Sequence, residues 1–345
     1  MSACQVFIAS ALLAVAATAA HADPARVMAY SGVFQDNYMD TVVKPFIATG
    51  HQVEYVGGDT SAAMLGQLRT QKTDPQLDVV IMDTTVAAAA CAEGLVEPLT
   101  PAMLPVLTDL DPQARAAGGA CGPGVTFDHL VIIYNADVVK PPPVSLREMW
   151  EPKWRGRIGI SAPPNIEGLA LTAILAHADT GDWHNADQAF KELAALAPSV
   201  ETFLPQPDEY TLVLNNTIDF ATGWNARAQL YHDRSNGKLG VLLPKEGTVF
   251  QINTINLVKG AHNRDEALAF ISYALSPTAQ KAFTERMFYG PTNTKADIAP
   301  AAAARTAAAP ENKARVIPID WSDMVKLRES WNQRWRREVI AAGSR

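Results

Sequence analysis

The sequence predicts an α/β protein of two lobes, each a sheet flanked by helices, with a cleft between the lobes. Three observations lead there. From Asp23 to Thr85 short apolar strands alternate with helical spacing, the pattern of a parallel βαβαβ unit. A second run of strands and helices follows the turn signals at Pro141-Pro142-Pro143. The chain has 345 residues, enough for two domains that each bury a core.

Composition bounds the function classes. The formal net charge is -7, and basic residues cluster only at the far C-terminus, which argues against nucleic acid as a partner. Residues 1–22 contain no Lys, Arg, Asp or Glu; Val6 to Ala17 is apolar but too short to span a bilayer, and Ala20-His21-Ala22 offers a small-residue cleavage site. A secretory leader is expected there, although it lacks a basic n-region, and Cys4 lies too far ahead of the cleavage site to serve as a lipid anchor. Processing would leave Cys91 and Cys121, an even pair that favours a disulfide in an oxidising compartment; two buried thiols are the alternative.

In chain order, strands are expected at Val27 to Tyr30, Gln52 to Val56 and Leu77 to Met82, with helices at Asp36 to Thr49 and after a Thr60 cap, where Met64, Leu65 and Leu68 share a face. Leu130 to Tyr134 is a buried strand crossing into the second lobe. That lobe holds a strand at Ile158 to Ile160, a helix through Leu169, Thr172, Ala173 and Ala176, and another at about 186–196. Ile218 to Thr222, Leu239 to Leu243 and Phe250 to Val258 are further strands, with a tight turn at Gly223 and a helix opening at Trp224. Asn263 and Glu266 form a capping-box-like start, Ser276-Pro277 begins the next helix, and 300–310 is alanine-rich. From Asp320 an amphipathic helix carrying Trp321, Trp331 and Trp335 docks on the body, with Arg334, Arg336 and Arg337 as its solvated face. The expected division is 1–22 leader, 23–127 with 250–298 as lobe 1, 128–249 as lobe 2, and 299–345 as a C-terminal helical segment.

Gly-x-Ser-x-Gly, the Walker loop, His-Glu-x-x-His and metal-spaced cysteines are absent, so neither an enzyme nor a metal or cofactor is expected. A ferric site would want close tyrosines, and Tyr231 and Tyr289 have no such neighbour in sequence. Polar and aromatic residues do collect at strand ends: Tyr30 with Ser31, Asp83 with Thr84, Phe127 with Asp128, Asn165 with Glu167, Trp224 with Arg227, and Asn253. Each alone has a plain role as a cap or turn residue. Together, at the strand ends of two α/β lobes, they mark the usual place for a small-molecule site.

Val131-Ile132-Ile133-Tyr134-Asn135, Met149-Trp150-Glu151-Pro152-Lys153-Trp154-Arg155-Gly156, Leu243-Pro244-Lys245-Glu246-Gly247, Val258-Lys259-Gly260-Ala261-His262-Asn263 and the helix ending in Ser276-Pro277 run in an order that resembles the spermidine/putrescine-binding family of ABC-transporter solute-binding proteins. The resemblance implies a type II periplasmic binding protein, exported and monomeric, closing on a small-molecule solute that it delivers to an inner-membrane ABC permease. It also implies aromatic walls around a polyamine, with carboxylates at the ammonium groups. Here the chain departs: Arg227 and Asn253 fall where the family carries carboxylates. An arginine fork suits a carboxylate or phosphonate and repels a diamine. The expected solute is therefore carboxylate-bearing or zwitterionic, like an ω-amino acid, held by Arg227, Trp224 and Asp83 with Ser31, Thr84 and Asn253. A polyamine is the alternative, followed by a phosphonate or an enzyme on the same fold.

Overall fold

The computed structural model describes residues 23–307 and 309–343; the leader expected at 1–22 lies outside the described residues. Nine strands form a single curled sheet: β1 (Ala25–Tyr30), β2 (Val53–Gly58), β3 (Val79–Asp83), β4 (Gly124–Asn135), β5 (Ile158–Gly159), β6 (Val200–Thr202), β7 (Phe220–Trp224), β8 (Leu239–Leu242) and β9 (Phe250–Leu257). Their order is β2-β1-β3-β9-β4-β7-β5-β6, with β8 paired to β4 off that path. The longer helices are α1 (Ser61–Thr70), α2 (Thr84–Ala92), α3 (Ile166–Thr180), α4 (Asp187–Leu196), α5 (Asn225–Arg234), α6 (Arg264–Ala274), α7 (Pro277–Met287) and α8 (Trp321–Arg334).

β4 runs through both lobes. All twelve residues of β4 are buried. Its first half pairs antiparallel with β9, up to His129 opposite Phe250, and its second half pairs with β7 and β8, beginning at Leu130 opposite Trp224. The strand is longer than its apolar run because Asp128 and His129 interrupt the pattern that sequence reading follows. Around β1 the neighbours β2 and β3 are parallel, as the alternation predicts.

In the first lobe Thr60 caps α1, its hydroxyl accepting the Ala63 N–H at 3.1 Å. Met64, Leu65 and Leu68 pack with Leu77 and Val80 in one core. Cys91 on α2 and Cys121 ahead of β4 form a disulfide within that lobe, closing a sequence separation of 30. The expected helix at Asp36 to Thr49 runs from Val33 to Ala48 through a π-helical segment at Met39–Val43, with Phe46 buried and Ile47 exposed.

In the second lobe α3 is buried on nearly all sides because the sheet lies on one side and the C-terminal segment on the other. Trp335 donates its indole N–H to the Thr172 hydroxyl at 2.9 Å, and Trp321 donates to the Phe250 carbonyl at 2.8 Å. Arg334 departs from the expected solvated face: it pairs with Asp187 and Glu338 and lies 4.0 Å over the Phe190 ring.

Two local expectations are corrected. Gly223 is not a turn but a residue of β7, opposite Val131, where a Cβ would come within 3.0 Å of the Tyr210 ring. Asn263 and Glu266 do not form a capping box. Asn263 instead donates to Asp78 and the Pro24 carbonyl, while Glu266 accepts the Gln52 N–H at 2.6 Å.

Candidate functional site

A cavity of about 620 Å³ lies between strand ends of the two lobes. On the first-lobe side β1 ends at Tyr30, whose hydroxyl donates to Asn253 Oδ1 at 3.0 Å and lies 2.7 Å from the Ser61 hydroxyl. Ser61 in turn accepts the Asp83 N–H at 3.0 Å. Asn253 Oδ1 also accepts from Gln251 at 2.8 Å, and its amide donates to Thr126 at 3.0 Å. Burial raises the Tyr30 hydroxyl well above its ordinary pKa, so it stays a neutral donor.

Asp83 caps α2 through one oxygen. Its Oδ1 accepts the N–H groups of Thr85 and Val86 at 3.0 and 3.1 Å and the Thr85 hydroxyl at 2.6 Å. None of these bonds uses Oδ2, so a cationic group in the cavity can be met there. Ser31 stands exposed at the rim, donating to the Gly58 carbonyl at 3.3 Å.

The second-lobe side differs in charge. Trp224 ends β7 and Arg227 lies in the first turn of α5, both lining the cavity. Arg227 is exposed, with its guanidinium 5.8 Å over the Tyr210 ring. Among the described residues no carboxylate comes within ion-pair distance of it. Tyr210 holds the Trp224 backbone, its hydroxyl accepting that N–H at 2.7 Å and donating to the carbonyl at 3.1 Å.

Asp128 is buried beside this wall and accepts the N–H groups of His129 and Ala226 at 2.8 and 3.0 Å. Burial pushes its carboxyl up to about 7 against those bonds. Asn165 caps α3, accepting the Glu167 N–H at 3.0 Å, and lines the cavity.

Three expected residues are not brought to the cavity. Thr84 is the first residue of α2, and its hydroxyl turns inward to the Ala117 carbonyl at 2.5 Å; Thr85 lines the cavity instead. Strand alternation sends Asp128 toward the cleft and Phe127 into the core, stacked on Phe250 at 4.6 Å. Glu167 is buried beneath the wall, accepting the Thr222 hydroxyl at 2.5 Å, and burial pushes its carboxyl up to about 8.

Other residues went unforeseen. Tyr210 lies on a short helix, Glu209–Leu214, that no apolar period announces, and Tyr289 figures in the sequence only as a tyrosine without a close partner. Tyr231 does have a tyrosine neighbour, stacking on Tyr210 at 5.4 Å. Ser61 and Gln251 gain their place from the hydrogen-bond network. Trp321, Met324 and Arg328 reach the cavity from α8.

Two α/β lobes joined by crossover strands, with a polar and aromatic cavity between strand ends, define a two-lobed binding protein. The chain belongs to the bacterial extracellular solute-binding protein family, which it matches over residues 43–314. It is 25% identical over 346 residues to the spermidine/putrescine-binding periplasmic protein of Escherichia coli K12, covering 98% of this chain and 94% of that one. It is 24% identical over 291 residues to the γ-aminobutyric acid-binding protein of Pseudomonas aeruginosa, covering 80% and 79%. Among solved structures, an ABC transporter substrate-binding protein of Bradyrhizobium japonicum superposes with a TM-score of 0.78 at 20% identity, covering 91% and 98%. The chain is thus an extracellular solute-binding protein of the kind that serves ABC transporters. Among the described residues no helix is long and apolar enough to cross a membrane.

Proposed function

We propose that this chain captures a small zwitterionic carboxylate between its lobes and passes it to an inner-membrane ABC permease. One observation carries the reading: Arg227 lines the cavity beside Trp224 with no ion-pair partner among the described residues. A guanidinium withdrawn from water without an anion is costly, so an anionic ligand group is its natural partner on closure. In this reading Arg227 holds the carboxylate, Trp224 packs on the aliphatic part, and Asp83 Oδ2 meets the ammonium. Tyr30, Ser31, Asn165 and Asn253 serve as neutral hydrogen-bond partners, Asp128 lines the cavity beside Arg227, and Glu167 acts from behind the second-lobe wall.

The relative named for γ-aminobutyric acid supports this class of solute. A polyamine is the second reading, favoured by the E. coli relative's name and by Asp59, Asp83 and Asp128 along the cavity. The lobes, 23–127 with 250–298 and 128–249, close about β4 and β9 where Asp128 pairs with Gln251 and His129 with Phe250. The protein works as an exported monomer, cleaved after Ala22, that binds without catalysing a reaction.

A thermal-shift screen of amino acids, ω-amino acids, polyamines and phosphonates tests the reading. A ligand at about 100 times its dissociation constant adds roughly 2.7 kcal/mol to stability. A carboxylate that stabilises and also shrinks the radius of gyration in small-angle scattering is the expected result. Stabilisation by putrescine or spermidine alone would replace it with the polyamine reading.

A further inference from the structure

The C-terminal helix does more than dock. Trp321, Met324, Val325 and Arg328 follow the spacing i, i+3, i+4, i+7, so they share one face of α8, and all four line the cavity. Trp321 and Met324 are buried in the second-lobe core, and the Trp321 bond to the Phe250 carbonyl fixes the start of the helix. The same helix lies against α2 of the first lobe, so it walls the cavity from a third side.

Arg328 is the charged member of that face. One of its guanidinium N–H groups donates to the Pro164 carbonyl at 3.2 Å, which holds the side chain at the cavity wall. Among the described residues it has no ion-pair partner. None of the acidic side chains lining the cavity, Asp59, Asp83 and Asp128, forms an ion pair with it among the described residues. A guanidinium offers five donors and a carbonyl takes one, leaving a fork suited to a carboxylate or phosphate. The cavity of about 620 Å³ falls within the range that holds drug-sized ligands, which exceeds the needs of a four-carbon amino acid.

We propose that Arg328 is a second anion-recognising residue of the cleft, and that the preferred solute carries two anionic groups, one for Arg227 and one for Arg328. This rests on the carboxylate reading above and narrows it. The solute class is an amino acid with a second acidic group, either a carboxylate or a phosphate.

Calorimetry on the full mature chain with γ-aminobutyrate, glutamate, 2-aminoadipate and O-phosphoserine tests it. The expected result is that at least one doubly acidic probe binds tenfold or more tighter than γ-aminobutyrate, the carboxylate and phosphate arms identifying which acid is preferred. Arg328→Gln should collapse that ratio at least tenfold, and Arg328→Lys, which keeps the charge, should restore part of it. Thermal midpoints of both variants separate recognition from loss of fold. A ratio that Arg328→Gln leaves unchanged, equal weakening of every probe, or no doubly acidic probe binding tighter than γ-aminobutyrate overturns the proposal. If Arg227→Ala also leaves carboxylate binding intact, the underlying reading fails with it; if Arg227→Ala abolishes binding while the Arg328 ratio stays fixed, only the second site falls.

Discussion

On the first-lobe wall, Tyr30, Ser61, Asn253 and Gln251 hydrogen-bond one another, and Asp83 spends one oxygen on a helix cap. Across the cavity Arg227 has no ion-pair partner among the described residues, while Asp128 beside it in the lining and Glu167 behind are pushed up to about 7 and about 8 by burial. The first wall is therefore largely preorganised, with the free Asp83 oxygen as an anionic group, while the second holds a cation that the protein leaves uncompensated. In the proposed reading the first lobe orients the solute and meets its ammonium, and the second selects for its anion. Closing the lobes would complete a site that neither wall provides alone.

The sharpest way to break this comparison is Arg227→Ala. Loss of the charged wall should weaken carboxylate binding by roughly 4 kcal/mol, the range for truncating one partner of a desolvated charge pair. Isothermal calorimetry reads it. A loss no larger than that of a first-wall hydroxyl deletion would erase the distinction between the walls.

Next in size is the cross-link that belongs to the first lobe alone. Replacing Cys91 and Cys121 by serine removes a loop constraint over a sequence separation of 30, and should cost about 3 to 4 kcal/mol of stability in the chain-entropy picture. Denaturant midpoints measure it. Affinity per folded molecule should change little, because neither cysteine lines the cavity.

The asymmetry between the walls was only half legible in the sequence. The strand–helix alternation announced the first lobe, and Trp224 and Arg227 stood out because an aromatic and an arginine closed a strand. Phe127 and Thr84 misled because strand-end position does not say which way a side chain points: one step along β4 separates Asp128 at the cleft from Phe127 in the core. Gly223 misled because its role is room for the Tyr210 ring, a contact made across a chain separation that no local pattern encodes. Arg328 was hidden for the same reason. On the sequence its helix is an amphipathic docking element, and only its placement against α2 at the cavity wall shows that one charged position faces the cavity.

A smaller effect separates the walls by pH. Asp128 and Glu167 lie above the ordinary carboxylate range when folded, burial being the main cause for each, with Glu209 raising Glu167 further. Below pH 4 both are protonated in either state, roughly, so their contribution is fully present there. As pH rises toward 8 the unfolded chain has lost these protons while the folded one still holds them, and stability falls. Ionisation also places negative charge near Arg227, so carboxylate affinity should drop in the same direction, about tenfold between pH 6 and 8.5. Asp128→Asn keeps an oxygen for the His129 and Ala226 N–H groups and should flatten both profiles. A pH dependence unchanged in both Asp128→Asn and Glu167→Gln would mean that the second wall does not titrate.

The smallest expected change is Tyr30→Phe on the first wall. The ring remains, with its edge contact to Phe34 at 5.5 Å, while the hydroxyl that joins Ser61 to Asn253 is lost. Because Ser61 keeps the Asp83 N–H and Asn253 keeps Gln251 and Thr126, neither partner is left bare. The cost should be near that of one neutral hydrogen bond, about 1 kcal/mol in affinity. Its ligand profile should match the native one, every carboxylate weakened by a similar factor, because a neutral group that orients the solute does not read its charge. Calorimetry across γ-aminobutyrate, glutamate and putrescine is the check. A Tyr30→Phe protein that shifted the preference between acids and amines would make this hydroxyl part of charge selection, and its purely orienting role would fall.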